Sequence, residues 1–261
     1  MRKREGNRRR RGGSRARRDE RARRAVRASL PPGAALPPEE ELWAEEGAGA
    51  RAGRALVIAC GALAAEIMLL KRQLGLDRLD MHCLPASWHN TPQFIPDGVR
   101  ARIRQARAQG YGHILVAYGD CGTGGALDAV LAEEGVERLP GAHCYAFLSG
   151  AQAFTRKQEE DARAYFLTDY LARHFDSLVW RGLQLDRHPE LLADYFGNYE
   201  KLVHLAQTDD PALDAAAREA ARRLGLRHER RLVGFGDLQT ALRRLRDETC
   251  DEPHNETRDE P

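Results

Sequence analysis

The sequence predicts an α/β protein of Rossmann-like type, a mainly parallel sheet with helices on both faces. Three observations carry this. Short, continuous apolar runs with β-branched residues recur along the chain; segments of helical periodicity alternate with them; and no internal repeat of fixed period is present. Strands covered on both faces read as continuous rather than alternating apolar runs. Strands that alternate with helices of this length call for crossover connections in a parallel sheet.

The first run, Ala55–Cys60, is the clearest strand, and it turns through Gly61 into a helix over Ala62–Leu74 with Leu63, Ile67, Leu70 and Leu74 near helical spacing. Leu79–Leu84 is a second strand, closed by Pro85. After a polar loop, Gly98–Gln109 is a helix with Val99, Ile103 and Ala106 on one stripe. His113–Tyr118 is the third strand; it enters the glycine-rich segment Gly119–Gly125 and then a helix over Ala126–Glu134. Val136–Leu139 is a short fourth strand.

The second half is more helical. Helices are expected over Ala146–Gln158 and Leu167–Leu183, with a brief strand at Tyr165–Leu167 between them. Another covers His188–Tyr195, with Pro189 just inside its first turn. Glu200–Ala206 and Arg227–Val233 are strands; Ala212–Leu224 and Leu238–Leu245 are the last two helices.

Charge divides the chain unevenly. The net charge of +2 conceals about +11 up to Arg27, −5 over Ala28–Ala50 and −4 from Arg51 onward. Residues 1–53 are expected to be a disordered basic arm and linker, 54–246 the α/β domain, and 247–261 a disordered acidic tail, because segments poor in apolar side chains do not offset the entropy of ordering. Trp43 is expected to pack a short helix onto the body. The run Arg8–Arg11 is the one feature suited to nucleic acid or anionic lipid; the domain itself, being mildly acidic, calls for a small-molecule ligand. No apolar stretch reaches the ~18 residues needed to span a bilayer, and no apolar region follows the basic arm as in a secretory signal. Five cysteines, an odd number, fit a reducing compartment, so a cytoplasmic location is expected.

The cysteines are placed for chemistry. Cys60 ends a strand, Cys121 lies just past another, and Cys144 opens a helix after the fourth run; Cys83 lies near the end of the second strand. In a parallel open sheet such ends emerge on one edge, where ligands bind. Helix N-termini there favour a thiolate over a thiol. With His89 on the loop after the second strand, Cys60, Cys121 and Cys144 form a candidate site for zinc or iron, assembled from distant loops and open on one side. Cys83 and His143 are alternative fourth ligands.

A metal-free alternative makes Cys121 a nucleophile, with Asp120 beside it and His143 or His89 as base. A third reading is a non-enzymatic module in which Gly122, Thr123, Gly124 and Gly125 cradle an anion with backbone N–H groups, next to Tyr118. Asp169 and Gln207 stand at strand ends on the same expected edge. Thr168 or Asp169 is also a natural N-cap, as are Asp209 and Asp210 before Pro211. His204, in mid-strand, is expected in the core.

Several spaced motifs occur in order: Ile58-Ala59-Cys60-Gly61, Trp88-His89-Asn90-Thr91-Pro92, Tyr118-Gly119-Asp120-Cys121-Gly122-Thr123-Gly124-Gly125, Gly141-Ala142-His143-Cys144-Tyr145 and Phe166-Leu167-Thr168-Asp169-Tyr170. Later, Asp186-Arg187-His188-Pro189 and Leu205-Ala206-Gln207-Thr208-Asp209 continue the pattern. Together they resemble the domain of unknown function numbered 1638, over roughly residues 54–240. The sequence departs from that pattern at Trp88, where the family more often has leucine. The resemblance implies a shared domain and no settled activity.

Overall fold

A computed structural model describes residues 44–45, 51 and 53–250. The remainder of the basic arm and the segment 251–261, with the disorder expected of them, lie outside the described residues.

Two sheets organise the chain. The first has the order β1(Ala44–Glu45), β3(Leu79–Leu84), β2(Ala55–Cys60), β4(His113–Ala117), β5(Glu137–Arg138), all parallel except the short antiparallel β1. The second is parallel throughout, in the order β6(Ala164–Thr168), β7(Lys201–Ala206), β8(Arg227–Leu232). The α/β class is therefore as the sequence predicts, with the strands divided between two sheets. The division falls after β5, which is only two residues long and runs into Pro140-Gly141. So short a strand offers little edge for a further partner.

The central strand explains the layering. In β2, Ala55, Val57 and Ala59 face one side and Leu56 and Ile58 the other, and all are buried. The first set packs with Leu63, Ile67 and Leu70 around α1(Ala64–Leu74), and with Leu238, Leu242 and Leu245 of the C-terminal helix Gly236–Cys250. The second packs with Ile95, Val99 and Ile103 of α2(Ile95–Ala108) and with Leu127 and Leu131 of α3(Ala126–Glu134). The period-two alternation thus buries both faces, as a central parallel strand requires.

Beyond β5 the expected helix over 146–158 is two pieces, α4(Cys144–Ser149) and α5(Ala151–Arg156), broken at Gly150 with φ +78°. The break has a tertiary cause. Gly236, at the start of the C-terminal helix, lies so close that a Cβ there would sit 2.3 Å from the Phe147 carbonyl oxygen. Asp237 then accepts a 2.7 Å hydrogen bond from the Ala151 N–H, capping α5.

The expected helix over 167–183 is likewise shorter. It comprises α6(Asp169–Arg173) and a π-helical turn over Asp176–Trp180. The second sheet is covered by α7(Leu191–Phe196) and α8(Pro211–Leu224), and its β8 edge carries the charged run Arg227–Arg231, a common way of blunting an edge. The last helix, α9(Gly236–Cys250), continues beyond Asp247, where a frayed tail was expected. Trp43, with the short helix expected around it, lies outside the described residues; the adjacent Ala44–Glu45 pairs as strand with His82 and Met81. No helix among the described residues is long and apolar enough to cross a membrane.

One buried ionic cluster anchors β3. Asp80, fully buried, accepts from Arg54 Nε at 2.8 Å and from the Tyr111 hydroxyl at 2.7 Å. Removing the carboxylate leaves the Arg54 guanidinium without its counter-charge. Asp80→Ala should therefore cost about 3–5 kcal/mol in urea unfolding; a loss under 1 kcal/mol would contradict this role.

Candidate functional site

At the C-terminal edge of the first sheet, Cys60, Cys121, Cys144 and His89 line one cavity of about 170 Å³, together with Tyr118. Each arrives by a different route. Cys60 ends β2, His89 sits in the short helical turn Ala86–Asn90 after β3, Cys121 follows β4, and Cys144 begins α4. The opposite wall comes from the second sheet and its helices: Tyr165 and Thr168 of β6, Tyr170 and Leu171 of α6, and Leu178 and Val179 of the π turn. The sequence-based convergence of three cysteines and His89 on one edge is thus realised, closed over by apolar and aromatic side chains from the other half of the chain. Cys83 does not join them; it is buried in β3 against the α1 and α9 layer.

The glycine segment behaves differently from an open anion cradle. Asp120 turns its carboxylate back into its own loop. It accepts from Thr123 Oγ1 at 2.8 Å, from the Gly125 N–H at 2.8 Å and from the Gly124 N–H at 3.1 Å. These bonds hold its pKa below the usual carboxylate range, the Gly125 N–H contributing most. The Gly122–Gly125 donors expected for an external anion are therefore turned on Asp120, and Asp120 serves the turn rather than standing as an acid or base beside Cys121. The loop also sets Cys121 at φ +50°, a left-handed conformation uncommon for a non-glycine residue. Its N–H donates to the Ala142 carbonyl at 2.7 Å, tying the loop to the approach to α4.

Burial governs the electrostatics of the cavity. It pushes the Cys60 thiol up to about 11, with the Ala62 backbone N–H and the Tyr118 hydroxyl acting in the opposite sense. Cys121 is raised by burial, with backbone N–H groups of Gly119 and Cys144 opposing, and Cys144 is raised further still. His89 is lowered, again by burial. The expectation that helix N-termini favour thiolates is therefore corrected: desolvation outweighs the local dipoles. The free wall presents neutral thiols and a neutral imidazole. The Tyr118 hydroxyl, buried without a conventional partner, faces Cys60.

His143 lies outside this lining. Its ring packs against Tyr145 at 5.1 Å and Phe154 at 5.3 Å, and its Nδ1 is buried without a hydrogen-bond partner. Asp169 and Gln207 are also placed behind the cavity rather than in it. The Gln207 side-chain oxygen accepts from the Asp169 N–H at 2.8 Å, while Asp169 accepts from the Thr208 N–H at 2.9 Å and its hydroxyl at 2.7 Å. The other Asp169 oxygen meets His204 Nε2 at 3.0 Å. Thr168 is the N-cap of α6, and Asp210 caps α8 by accepting from the Ala212 N–H. Asp209 instead pairs with Arg230 at 2.6 Å.

Two features went unread in the sequence. His204, Asp214 and His228 form the one group of three or more metal-donor side chains, among the described residues, whose ligand atoms all lie within 4.8 Å of one another. The cavity cysteines do not close to that distance as a trio. Glu66 is the other feature: a carboxyl buried in the first turn of α1, with Oε2 unpartnered and its pKa raised to about 7 by burial, Asp169 adding to the effect and Arg173 opposing. A glutamate beside Leu63, Ile67 and Leu70, on the apolar stripe of its helix, was the available signal.

These observations define an α/β protein with a small thiol-lined cavity at the edge of a parallel sheet. Residues 83–242 match the family model described as a protein of unknown function (DUF1638), and the chain belongs to that family. No curated protein and no solved structure matches it.

Glu66 gives a pH test. Its folded pKa lies above the unfolded value, so its contribution is fully present below about pH 4.5 and is lost as pH rises through about 7. Glu66→Gln should leave stability at pH 4.5 nearly unchanged and raise it at pH 8 by up to about 3 kcal/mol. Parallel urea curves at the two pH values check this; an equal effect at both would refute it.

Proposed function

We propose that this chain binds a small molecule in the cavity between its two sheets, anchored by a soft metal ion, zinc or iron, on Cys60, Cys121 and Cys144, with His89 as the fourth donor. The observation that supports this reading is the arrival of three sulfurs and one imidazole, from four separate connections, on the wall of a single 170 Å³ cavity. Sulfur and imidazole donors suit these metals. Each cysteine sulfur swings on one torsion between staggered rotamers, so this reading calls on rotamer changes to bring the donors together.

The protonation states suit a site that takes its metal from solution. Burial holds the thiols neutral, so the metal-free wall carries no cluster of anions in an apolar setting. Metal binding displaces the thiol protons. Displacement of His89 by a bound ligand would open one position, at which the metal would supply Lewis acidity. The aromatic and aliphatic wall contributed by Tyr165, Leu178 and Val179 selects a compact, largely apolar ligand and excludes water. Cys121 acting alone as a nucleophile is less well served, since burial raises its thiol and lowers the basicity of His89 on the same wall, Asp120 is occupied in the turn and His143 lies outside the lining.

Cobalt(II) tests the proposal. Added anaerobically, it should give a near-ultraviolet thiolate charge-transfer band that saturates at about one equivalent and loses intensity in both Cys121→Ser and Cys60→Ser. Absence of the band in folded protein, or its undiminished intensity in either variant, would overturn the proposal.

A further inference from the structure

We infer that His204, Asp214 and His228 form a second metal site, separate from the cysteine cavity, for a divalent ion of the zinc class bound through nitrogen and oxygen.

The three side chains come from three elements that the second sheet brings together. His204 lies in β7, His228 in the adjacent β8, and Asp214 in the first turn of α8. The parallel register pairs His204 with Arg230 and Leu202 with His228, so the two imidazoles are neighbours across the ladder, with ring centroids 6.4 Å apart. Asp214 Oδ1 lies 3.9 Å from His204 Nδ1 and 3.7 Å from His228 Nε2. These separations are too long for hydrogen bonds. They are slightly wider than the ~3.4 Å between donors that each sit about 2.1 Å from a tetrahedral zinc ion.

The second, independent observation is that all three of those atoms are buried without a hydrogen-bond partner. His204 is 1% exposed, and an unsatisfied ring nitrogen at that depth is costly. The second polar atoms of His204 and Asp214 are, by contrast, firmly engaged. Asp169 Oδ1 lies 3.0 Å from His204 Nε2 and is itself fixed through its other oxygen by Thr208. That contact places the proton on Nε2 and turns the Nδ1 lone pair toward Asp214, the carboxylate–histidine arrangement that orients metal ligands. Arg218 holds Asp214 Oδ2 with bonds of 2.8 and 3.1 Å, leaving Oδ1 to face the two imidazoles. Burial lowers the His228 pKa, with Asp214 opposing, which favours a neutral ring available for ligation.

One further group faces the same point. Arg230 Nε lies 3.8 Å from Asp214 Oδ1, while its Nη2 is drawn toward Asp209 at 2.6 Å. As a cation it opposes a metal ion there and is not a ligand. The site thus offers three protein donors, with affinity set partly by how strongly Asp209 holds the guanidinium aside.

Cobalt(II) titration also separates this site from the cysteine one. The His204 site should give visible d–d absorption without thiolate charge transfer, and that component should persist in Cys121→Ser. His228→Gln should abolish it while leaving any charge-transfer band intact. Asp169→Asn should weaken the affinity roughly 10–100-fold, and Arg230→Gln should strengthen it. Because His228 is partly exposed and makes no hydrogen bond through Nε2, His228→Gln is expected to fold, and circular dichroism verifies that. Cobalt uptake unchanged by His228→Gln, or no thiol-independent uptake by folded protein, would overturn the site and leave a water-bridged polar cluster only.

Discussion

Everything at the cavity depends on one constraint: β2 pairs in parallel with β3 on one side and β4 on the other. Parallel neighbours deliver their C-terminal ends to the same edge, so Cys60, the loop bearing His89 and the turn bearing Cys121 must emerge together. The fourth arrival, Cys144, follows from contacts made at that edge. Asp120 and Cys121 donate their N–H groups to the Gly141 and Ala142 carbonyls. Gly119 permits the approach, since a Cβ there would sit 2.7 Å from the His143 backbone. A sheet with any of these strands reversed would scatter the sulfurs across opposite edges.

The two halves of the chain meet through a few polar residues. Thr168 and Asp169 are consecutive, yet Thr168 lines the cavity while Asp169 braces His204 behind it. Glu66, on the first-sheet side, feels the charges of both Asp169 and Arg173. The seam between the sheets is therefore built from ionisable groups as well as from aromatic packing. That distinguishes it from a purely apolar joint, which would carry no charge dependence.

Much of this was legible before folding. Ala55–Cys60 and Leu79–Leu84 are strands to the residue, because an apolar run covered on both faces leaves little other option. The placement of Cys60, Cys121 and Cys144 on one edge followed from the same pattern. The split into two sheets did not, since an apolar run reports that a strand is buried and not which neighbour buries it. The break at Gly150 depends on a glycine 86 positions later packing against it. The state of the thiols was hidden for a related reason: a helix terminus is visible in sequence, but the depth of burial that overrides it is not. His204, Asp214 and His228 stand 10 and 14 residues apart on three elements, and only the β7–β8 register makes them neighbours.

The self-satisfied turn at Asp120 has a consequence for what the cavity admits. A loop of glycine N–H groups leading into a helix is ordinarily a receptor for phosphate, and here the chain supplies its own resident competitor. A phosphorylated metabolite or nucleotide would have to evict a carboxylate tethered one residue from Cys121, and so meets repulsion where such loops usually offer attraction. The turn thereby has its Gly124 and Gly125 N–H groups already engaged, and offers an incoming anion no free donors there.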